Sequence, residues 1–240
     1  MGLRFLRRRT ALVSLVVIFI GVTAYLLGWS SLFSVSSITI SGAPSDLLLR
    51  EFTQGGVALH QGERLARLNT RAMSRIIRSN DWVASEAVHI HWLSGEVQVS
   101  VIPREPIAQF TDSQGSLRYL DSHGIAFHPL NISTKNLPSL NFAVTSADNQ
   151  ERLQRLSSLF LTEIPSDILA SMTNLSIRSD GTAELQTSIH TPSLTINWGS
   201  IGENGELSSK ARVIRELLAL PVNSKIISMD VSDPTSPTVH

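Results

Sequence analysis

The segment from residue 88 to residue 101 reads VHIHWLSGEVQVSV, and its pattern determines how the surrounding chain is interpreted. Apolar and polar side chains alternate on both sides of a turn that contains Ser94 and Gly95. Such alternation is typical of half-buried strands, because successive side chains of a strand point to opposite faces. The segment therefore predicts an antiparallel hairpin with one buried face. The residues of that face are Val88, Ile90, Trp92, Val97, Val99 and Val101.

The residues before this hairpin predict one strand and two helices. A strand is expected from Phe33, where apolar residues alternate before a turn that contains glycine and proline. Apolar residues then recur at helical spacing over residues 46–53 and after Thr70, which is the expected N-cap of the second helix. Prolines after the hairpin end the unit, because proline cannot donate to a sheet. Residues 33–103 are therefore predicted to form a small domain of order β-α-α-β-β.

Residues 104–232 are predicted to form a second, mainly antiparallel β domain with flanking helices. Alternating strand patterns recur through this segment, and helical patterns interrupt them near residues 146–161 and 207–220. A further strand pattern covers residues 225–231. Prolines and small polar residues then predict a flexible tail over residues 233–240. The expected fold class of the chain is α+β.

Arginines followed by an apolar run characterise the N-terminal segment. A helix over residues 11–29 would rise about 28 Å, close to the thickness of the hydrocarbon core of a bilayer. We therefore predict one transmembrane helix at residues 11–29, a cytoplasmic basic tail at residues 1–10, and an extracytoplasmic location for the rest of this single-pass cell-membrane protein. The alternative is a signal peptide cleaved near Ala24. The orientation is predicted from Arg4, Arg7, Arg8 and Arg9.

Composition and motifs argue against catalysis. The chain has no cysteine, and 20 Lys and Arg residues balance 20 Asp and Glu residues, so neither thiolate chemistry nor nucleic-acid binding is expected. His89 and His91 share a strand face, but no acidic cluster accompanies them to complete a metal site. Asp121, Ser122 and His123 are the residue types of a hydrolase triad, yet neighbours in one turn cannot form its relay. We predict no enzyme activity, catalytic residue, cofactor, metal ion or small-molecule substrate.

Several short motifs lie in a fixed order between residue 81 and residue 140. They are Asp81-Trp82-Val83, Val97-Gln98-Val99, Arg104-Glu105-Pro106-Ile107-Ala108 and Leu137-Pro138-Ser139-Leu140. Together with the N-terminal segment, they resemble the FtsQ/DivIB family of cell-division proteins. The resemblance implies a POTRA domain at residues 33–103. It also implies a scaffold at the division septum that binds FtsL-like and FtsB/DivIC-like partners and, indirectly, regulates the septal peptidoglycan synthase pair FtsW/FtsI.

The resemblance and the strand pattern together predict a partner-binding edge. FtsQ-like proteins bind their FtsB/DivIC-type partner at this end of the second domain. A strand at a sheet edge leaves backbone N–H and C=O groups that a partner strand can pair with. The alternative is a strand that only completes the sheet. The residues proposed for this ladder are Ile226, Ile227, Ser228, Met229, Asp230 and Val231.

A row of arginines on the second predicted helix has two interpretations. Arg71, Arg75 and Arg78 fall on the face opposite the apolar residues, and an exposed helix face is usually charged, so solvation alone explains them. The alternative is a face that meets an acidic partner or anionic lipid headgroups.

Two other functions of the protein are also compatible with the sequence: a membrane-anchored extracytoplasmic cell-wall hydrolase, and a POTRA protein of a translocation system.

Overall fold

The structure is a computed structural model in which the chain divides into two compact units, Met1–Pro103 and Arg104–His240. The residues that it describes are 13–22, 25, 33–130, 137–143, 147–189, 193–201 and 206–240.

The prediction of a transmembrane helix at residues 11–29 is contradicted by the structure. Within the described parts of the chain, no helix is both long enough and apolar enough to cross a membrane. The basic tail at residues 1–10, with its four arginines, lies outside the described residues.

The first unit contains a three-stranded sheet. Its strands are β1 (Ser37–Ser41), β2 (Val83–His91) and β3 (Glu96–Pro103), and its helices are α1 (Ser45–Gln54) and α2 (Thr70–Arg78), with a 3-10 turn at Leu65–Arg67. Strand β3 is central, since it pairs in parallel with β1 and antiparallel with β2. The hairpin expected from residues 88–101 is therefore confirmed, and strand, helix, helix, strand and strand follow in the expected order.

The helices of the first unit cover the apolar face of β3. On this strand Val97, Val99 and Val101 are buried, and the helices supply further members of the core. The N-cap of helix α2 is Asn69, not Thr70 as expected, and Thr70 is the first residue of the helix. The Asn69 side chain accepts a hydrogen bond of 3.0 Å from the N–H of Ala72. The buried residues of the helices are Leu48, Phe52, Met73 and Ile77.

The second unit contains, among its described residues, a sheet of nine strands. They are β4 (Ala108–Thr111), β5 (Leu117–Leu120), β6 (Ala126–Phe127), β7 (Ser139–Phe142), β8 (Met172–Ile177), β9 (Thr182–Thr187), β10 (Leu194–Ser200), β11 (Ser228–Asp230) and β12 (Thr238–Val239). Their order across the sheet is β12-β11-β10-β9-β8-β7-β4-β5-β6. The helices are α3 (Ala147–Glu163), α4 (Ser166–Ser171) and α5 (Leu207–Leu218), and a 3-10 turn follows at Pro221–Asn223.

This sheet is mixed: among its described strands five pairings are antiparallel, so the expected antiparallel pairing predominates, and three are parallel. Strand β7 is parallel to both β4 and β8, and β10 is parallel to β11. Helices account for two of the parallel pairings: α3 and α4 connect β7 to β8, and α5 connects β10 to β11. A helical crossover returns the chain to the starting end of the sheet, so the next strand runs parallel to the one before it.

The segment 233–240 was expected to be a flexible tail. It contains strand β12 instead, so this expectation is also corrected. Strand β12 pairs antiparallel with β11 through Met229 opposite Val239 and Asp230 opposite Thr238. The turn that leads into it is ordered by Asp233, whose carboxylate accepts bonds of 2.9 and 2.7 Å from the N–H and hydroxyl of Thr235. Backbone pairing therefore extends the sheet beyond the segment where the sequence pattern ended it.

Candidate partner-binding site

The segment predicted to be the edge of the sheet lies inside it. Strand β11 has β10 on one side and β12 on the other. The N–H of Val231 donates to Asn197 on the β10 side, while Ser228 faces β12, where it exchanges hydrogen bonds of 3.1 and 2.9 Å with His240. The expected edge position of residues 226–231 is therefore wrong, because β12 already occupies the backbone groups of Ser228.

Three of the six side chains of this predicted ladder serve the interior of the second unit. Ile226, Met229 and Val231 belong to its hydrophobic core. Ser228 is only partly exposed, whereas the Ile227 side chain is 55% exposed. Of the apolar residues in the predicted ladder, Ile227 is therefore the one whose side chain a partner can reach.

The sixth ladder residue, Asp230, is held by hydrogen bonds inside the unit. Its carboxylate accepts from the hydroxyl of Ser232 at 2.6 Å, from the N–H of Ser232 at 2.8 Å and from the Asn197 amide at 2.7 Å. The Ser232 hydroxyl contributes most to lowering the pKa of Asp230, and partial burial opposes the shift. Asp230 therefore fixes the end of β11 against β10 and is not free for a partner.

The open side of the sheet is formed by β12. Because Ser228 and His240 exchange both of their hydrogen bonds, they are a hydrogen-bonded pair, and the next pair, Met229 and Val239, is a non-bonded one. The N–H and C=O of Val239 consequently point away from β11. In the described part of the chain, no strand pairs with that side of β12.

Three exposed apolar side chains lie on the chain segment that precedes β11. Leu220, Val222 and Ile227 are 47%, 84% and 55% exposed, although they are large apolar residues. They lie on the segment between α5 and β11, and Ile227 adjoins β12 directly, since its N–H donates to the carbonyl oxygen of His240 at 2.9 Å. Ile227 is therefore the exposed apolar side chain that the hydrogen bonds place beside this edge.

The predicted arginine row lies on the exposed side of α2 in the first unit. Arg78 donates hydrogen bonds of 2.7 and 2.8 Å to Glu86 of β2. The bond from Arg78 is the main cause that lowers the pKa of Glu86, and it raises the pKa of Arg78. Arg71 and Arg75 form no ion pair with another residue that the structure describes. The row therefore contains one structural arginine and two that are available to a ligand.

The residues examined for catalysis do not form a relay. His123 approaches both Ser122 (3.4 Å) and Asp121 (3.9 Å) through the same ring nitrogen, Nδ1, whereas a triad uses both nitrogens of the imidazole. Asp121 is instead bonded to Arg104 at 2.6 Å and accepts from the N–H groups of His123 and Ile125 in the β5–β6 turn. This carboxylate therefore stabilises a turn.

His89 and His91 lie on the exposed face of β2, as the alternation of the strand predicted. No group of three His, Cys, Asp or Glu side chains in the described ranges is arranged to hold a metal ion.

Sequence reasoning missed the strand that forms the open edge. Thr238 and Val239 are β-branched and follow Pro237, and this was the signal available for a short strand at an edge, where proline is tolerated.

Comparison of the chain with protein-family models and with curated proteins found no match in either.

Proposed function

We propose that this chain is a non-enzymatic interaction protein of the FtsQ/DivIB kind. It binds FtsB/DivIC-like and FtsL-like division proteins and, through them, helps to regulate septal peptidoglycan synthesis by FtsW and FtsI. The link to cell division rests on the resemblance of the motifs between residues 81 and 140. The proposed place of action is the extracytoplasmic side of the division septum.

The observation that carries this proposal is the open edge at β12. Val239 directs its backbone N–H and C=O away from β11, and a partner segment in extended conformation can pair with them. Backbone pairing of this kind gives affinity, while side-chain contacts beside the strand give specificity. Strand β12 thus takes the role that the sequence assigned to residues 226–231.

The exposed side chain of Ile227 beside β12 supports the same function. A two-residue strand offers few backbone groups, so pairing with it alone would bind a partner weakly. The Ile227 side chain provides exposed apolar area next to it, and burial of such area contributes about 25 cal/mol per Å². The proposed FtsB/DivIC-like partner therefore contributes a short strand that pairs with Val239 and apolar side chains that cover Ile227, such as those on one face of an amphipathic helix.

Copurification with an FtsB/DivIC-like protein tests this proposal through Val239. Val239→Pro removes the outward N–H but none of the hydrogen bonds between β11 and β12, because those use Thr238 and His240. Val239→Ala shortens the side chain and keeps the N–H. We expect Val239→Pro to lose the partner and Val239→Ala to retain it.

Replacing Ser228 by proline would not test the same point. The N–H of Ser228 donates to His240 within the sheet, so that substitution breaks an internal hydrogen bond and lowers stability. Equal copurification by the folded Val239→Pro and Val239→Ala variants would contradict strand addition at β12.

A further inference from the structure

A groove lies between helix α2 and strand β2 in the first unit. It is open to solvent and has a volume of about 410 Å³. One wall is the exposed side of α2, and Val88 contributes an apolar surface from β2. The residues that line it are Thr70, Arg71, Ser74, Arg75, Arg78 and Val88. The groove therefore combines guanidinium groups, two hydroxyls and an apolar side chain.

The three arginines of the groove have different roles. Glu86, whose side chain is only 5% exposed, is bonded to Arg78 at 2.7 and 2.8 Å, and these bonds connect β2 to the end of α2. Arg78 is thereby neutralised. Arg71 and Arg75 are exposed, lie one helical turn apart, and form no ion pair within the described residues. The groove thus retains two positive charges that no described residue pairs with.

Val88, which lines the groove, belongs to a strand that has an open edge. Among the described strands of the first unit, β2 pairs only with β3. Alternate residues of β2 therefore direct N–H and C=O groups away from the sheet. On its groove side Val88 lies opposite the buried Val99 of β3, whereas His89 occupies the other face. A strand added to β2 would direct every second side chain toward α2.

The spacing of the two free arginines matches such a strand. Four residues of helix separate Arg71 from Arg75, a rise of about 6 Å. Alternate side chains of a strand are about 6.7 Å apart. Two carboxylates at positions i and i+2 of an added strand are therefore spaced to meet the two guanidinium groups, which bind carboxylates with paired N–H donors.

We infer that this groove binds an acidic peptide segment in extended conformation, which adds to the edge of β2 and places alternate carboxylates against Arg71 and Arg75. A lipid headgroup would use the same positive charges but would leave the backbone groups of β2 without partners. The strand edge beside the arginines therefore favours a peptide over a membrane surface.

Fluorescence anisotropy with the full chain tests this inference. The ligand is a labelled eight-residue peptide in which glutamate alternates with valine. Arg71→Ala combined with Arg75→Ala should weaken its binding by at least about tenfold, and more at low salt. The matched control, Arg212→Ala combined with Lys225→Ala, removes two exposed charges from the second unit and should leave binding within about twofold.

Two altered peptides separate the contributions of charge and of strand pairing. A peptide with glutamine in place of glutamate should bind at least about tenfold more weakly to the parent chain. A peptide N-methylated at alternate residues on its sheet-pairing side should weaken similarly, because it lacks the N–H donors that an added strand needs.

Several results would overturn the inference. One is undiminished peptide binding by the variant with alanine at both Arg71 and Arg75, provided that its melting curve matches that of the parent. The others are binding of the glutamine peptide, or of the N-methylated peptide, as tight as that of the glutamate peptide. A different result is that the glutamate peptide fails to bind the parent chain, while phosphatidylglycerol vesicles capture the chain in a way that depends on Arg71 and Arg75. That result would identify the groove as a lipid-binding surface instead.

Discussion

The ammonium group of Lys210 donates a hydrogen bond of 2.9 Å to the carbonyl oxygen of Trp198, and the lysine side chain is only 2% exposed. Trp198 is the extra residue of a bulge in β10: Asn197 pairs with Glu184 of β9, and the register then shifts so that Gly199 pairs with Ala183. A bulge leaves backbone groups without a partner in the ladder. Lys210 therefore satisfies, from helix α5, a buried carbonyl that the sheet cannot pair.

Lys210→Met should destabilise the second unit. Methionine fills a similar volume but cannot donate, so the buried carbonyl of Trp198 loses its partner at a cost of about 1–3 kcal/mol. Urea denaturation of the variant measures this loss. Lys225→Met is the matched control, since Lys225 is exposed and its replacement should change the free energy of unfolding by less than about 0.5 kcal/mol. Equal stability of the two variants would remove the role assigned to Lys210.

Trp82→Ala should destabilise the first unit by about 3–5 kcal/mol, because it removes a buried aromatic side chain between α2 and β2 and leaves a cavity. Trp92→Ala is the control. Trp92 lies beyond the end of β2 and is exposed, so its truncation should have little effect on the melting temperature. A Trp82→Ala variant that melts like the parent but loses a partner would place Trp82 at an interface.

Gly42→Ala and Gly56→Ala separate backbone strain from steric exclusion. Both glycines have positive φ, +80° and +75°, so alanine at either position should cost about 1 kcal/mol in strain. A Cβ at Gly42 would lie 1.7 Å from the carbonyl oxygen of Val101, whereas a Cβ at Gly56 would meet no atom within 4 Å. Chemical denaturation should therefore show about 1–3 kcal/mol more destabilisation for Gly42→Ala. Equal losses would mean that β1 and β3 do not approach at this position.

The ion pair between Asp167 of α4 and Arg215 of α5 predicts a pH dependence of stability. Arg215 donates two hydrogen bonds, of 2.7 and 2.6 Å, and chiefly through them lowers the pKa of Asp167 from 3.8 to about 2. A lowered carboxylate pKa stabilises the folded state above the unfolded pKa, and this stabilisation is lost as pH falls through the folded pKa. Arg215→Gln should therefore be less stable than the parent at pH 7, and the difference should vanish as pH falls from about 4 toward about 2.

Urea denaturation across this pH range measures the difference. Arg212→Gln removes the same charge from the same helix but disrupts only a longer contact, of 3.8 Å, with Glu216. Its effect at pH 7 should be smaller than that of Arg215→Gln. A deficit of Arg215→Gln that stays constant down to pH 2 would show that Arg215 acts through packing and not through the carboxylate of Asp167.

The elements of the first unit were predictable because their patterns are local. Val97, Val99 and Val101 alternate with polar residues, and all three are buried in β3. The alternation failed at Trp92, where β2 has already ended at His91 and the chain turns. Alternation shows which face of a strand is buried, but not the residue at which the turn begins.

The directions of the strands in the second unit were harder to predict. The helical patterns near α3 and α5 were recognised, but a pattern of side chains does not show which strands become neighbours. Strand β7 pairs with β4 and β8, and β8 is more than 25 residues away along the chain. Such pairings depend on contacts distant in sequence, and these decide whether a sheet is mixed.

The candidate site was predicted in the right region but on the wrong strand. Ser228 and Asp230 do direct their backbone away from β10, as an edge strand requires, but β12 pairs with them. Strand β12 has only two residues and follows Pro237, so its sequence resembles a tail. The arginine row was likewise visible from its spacing on α2, whereas the engagement of Arg78 by Glu86 depends on the approach of β2.

Amide hydrogen exchange at Val239 tests the central claim most directly. Measured by NMR on the chain alone, the N–H of Val239 should exchange faster than that of His240, which is bonded to Ser228. A saturating FtsB/DivIC-like partner should slow exchange at Val239 by at least about tenfold, because the partner strand accepts its hydrogen bond. Unchanged exchange at Val239 in a chain that has bound the partner would contradict strand addition at β12.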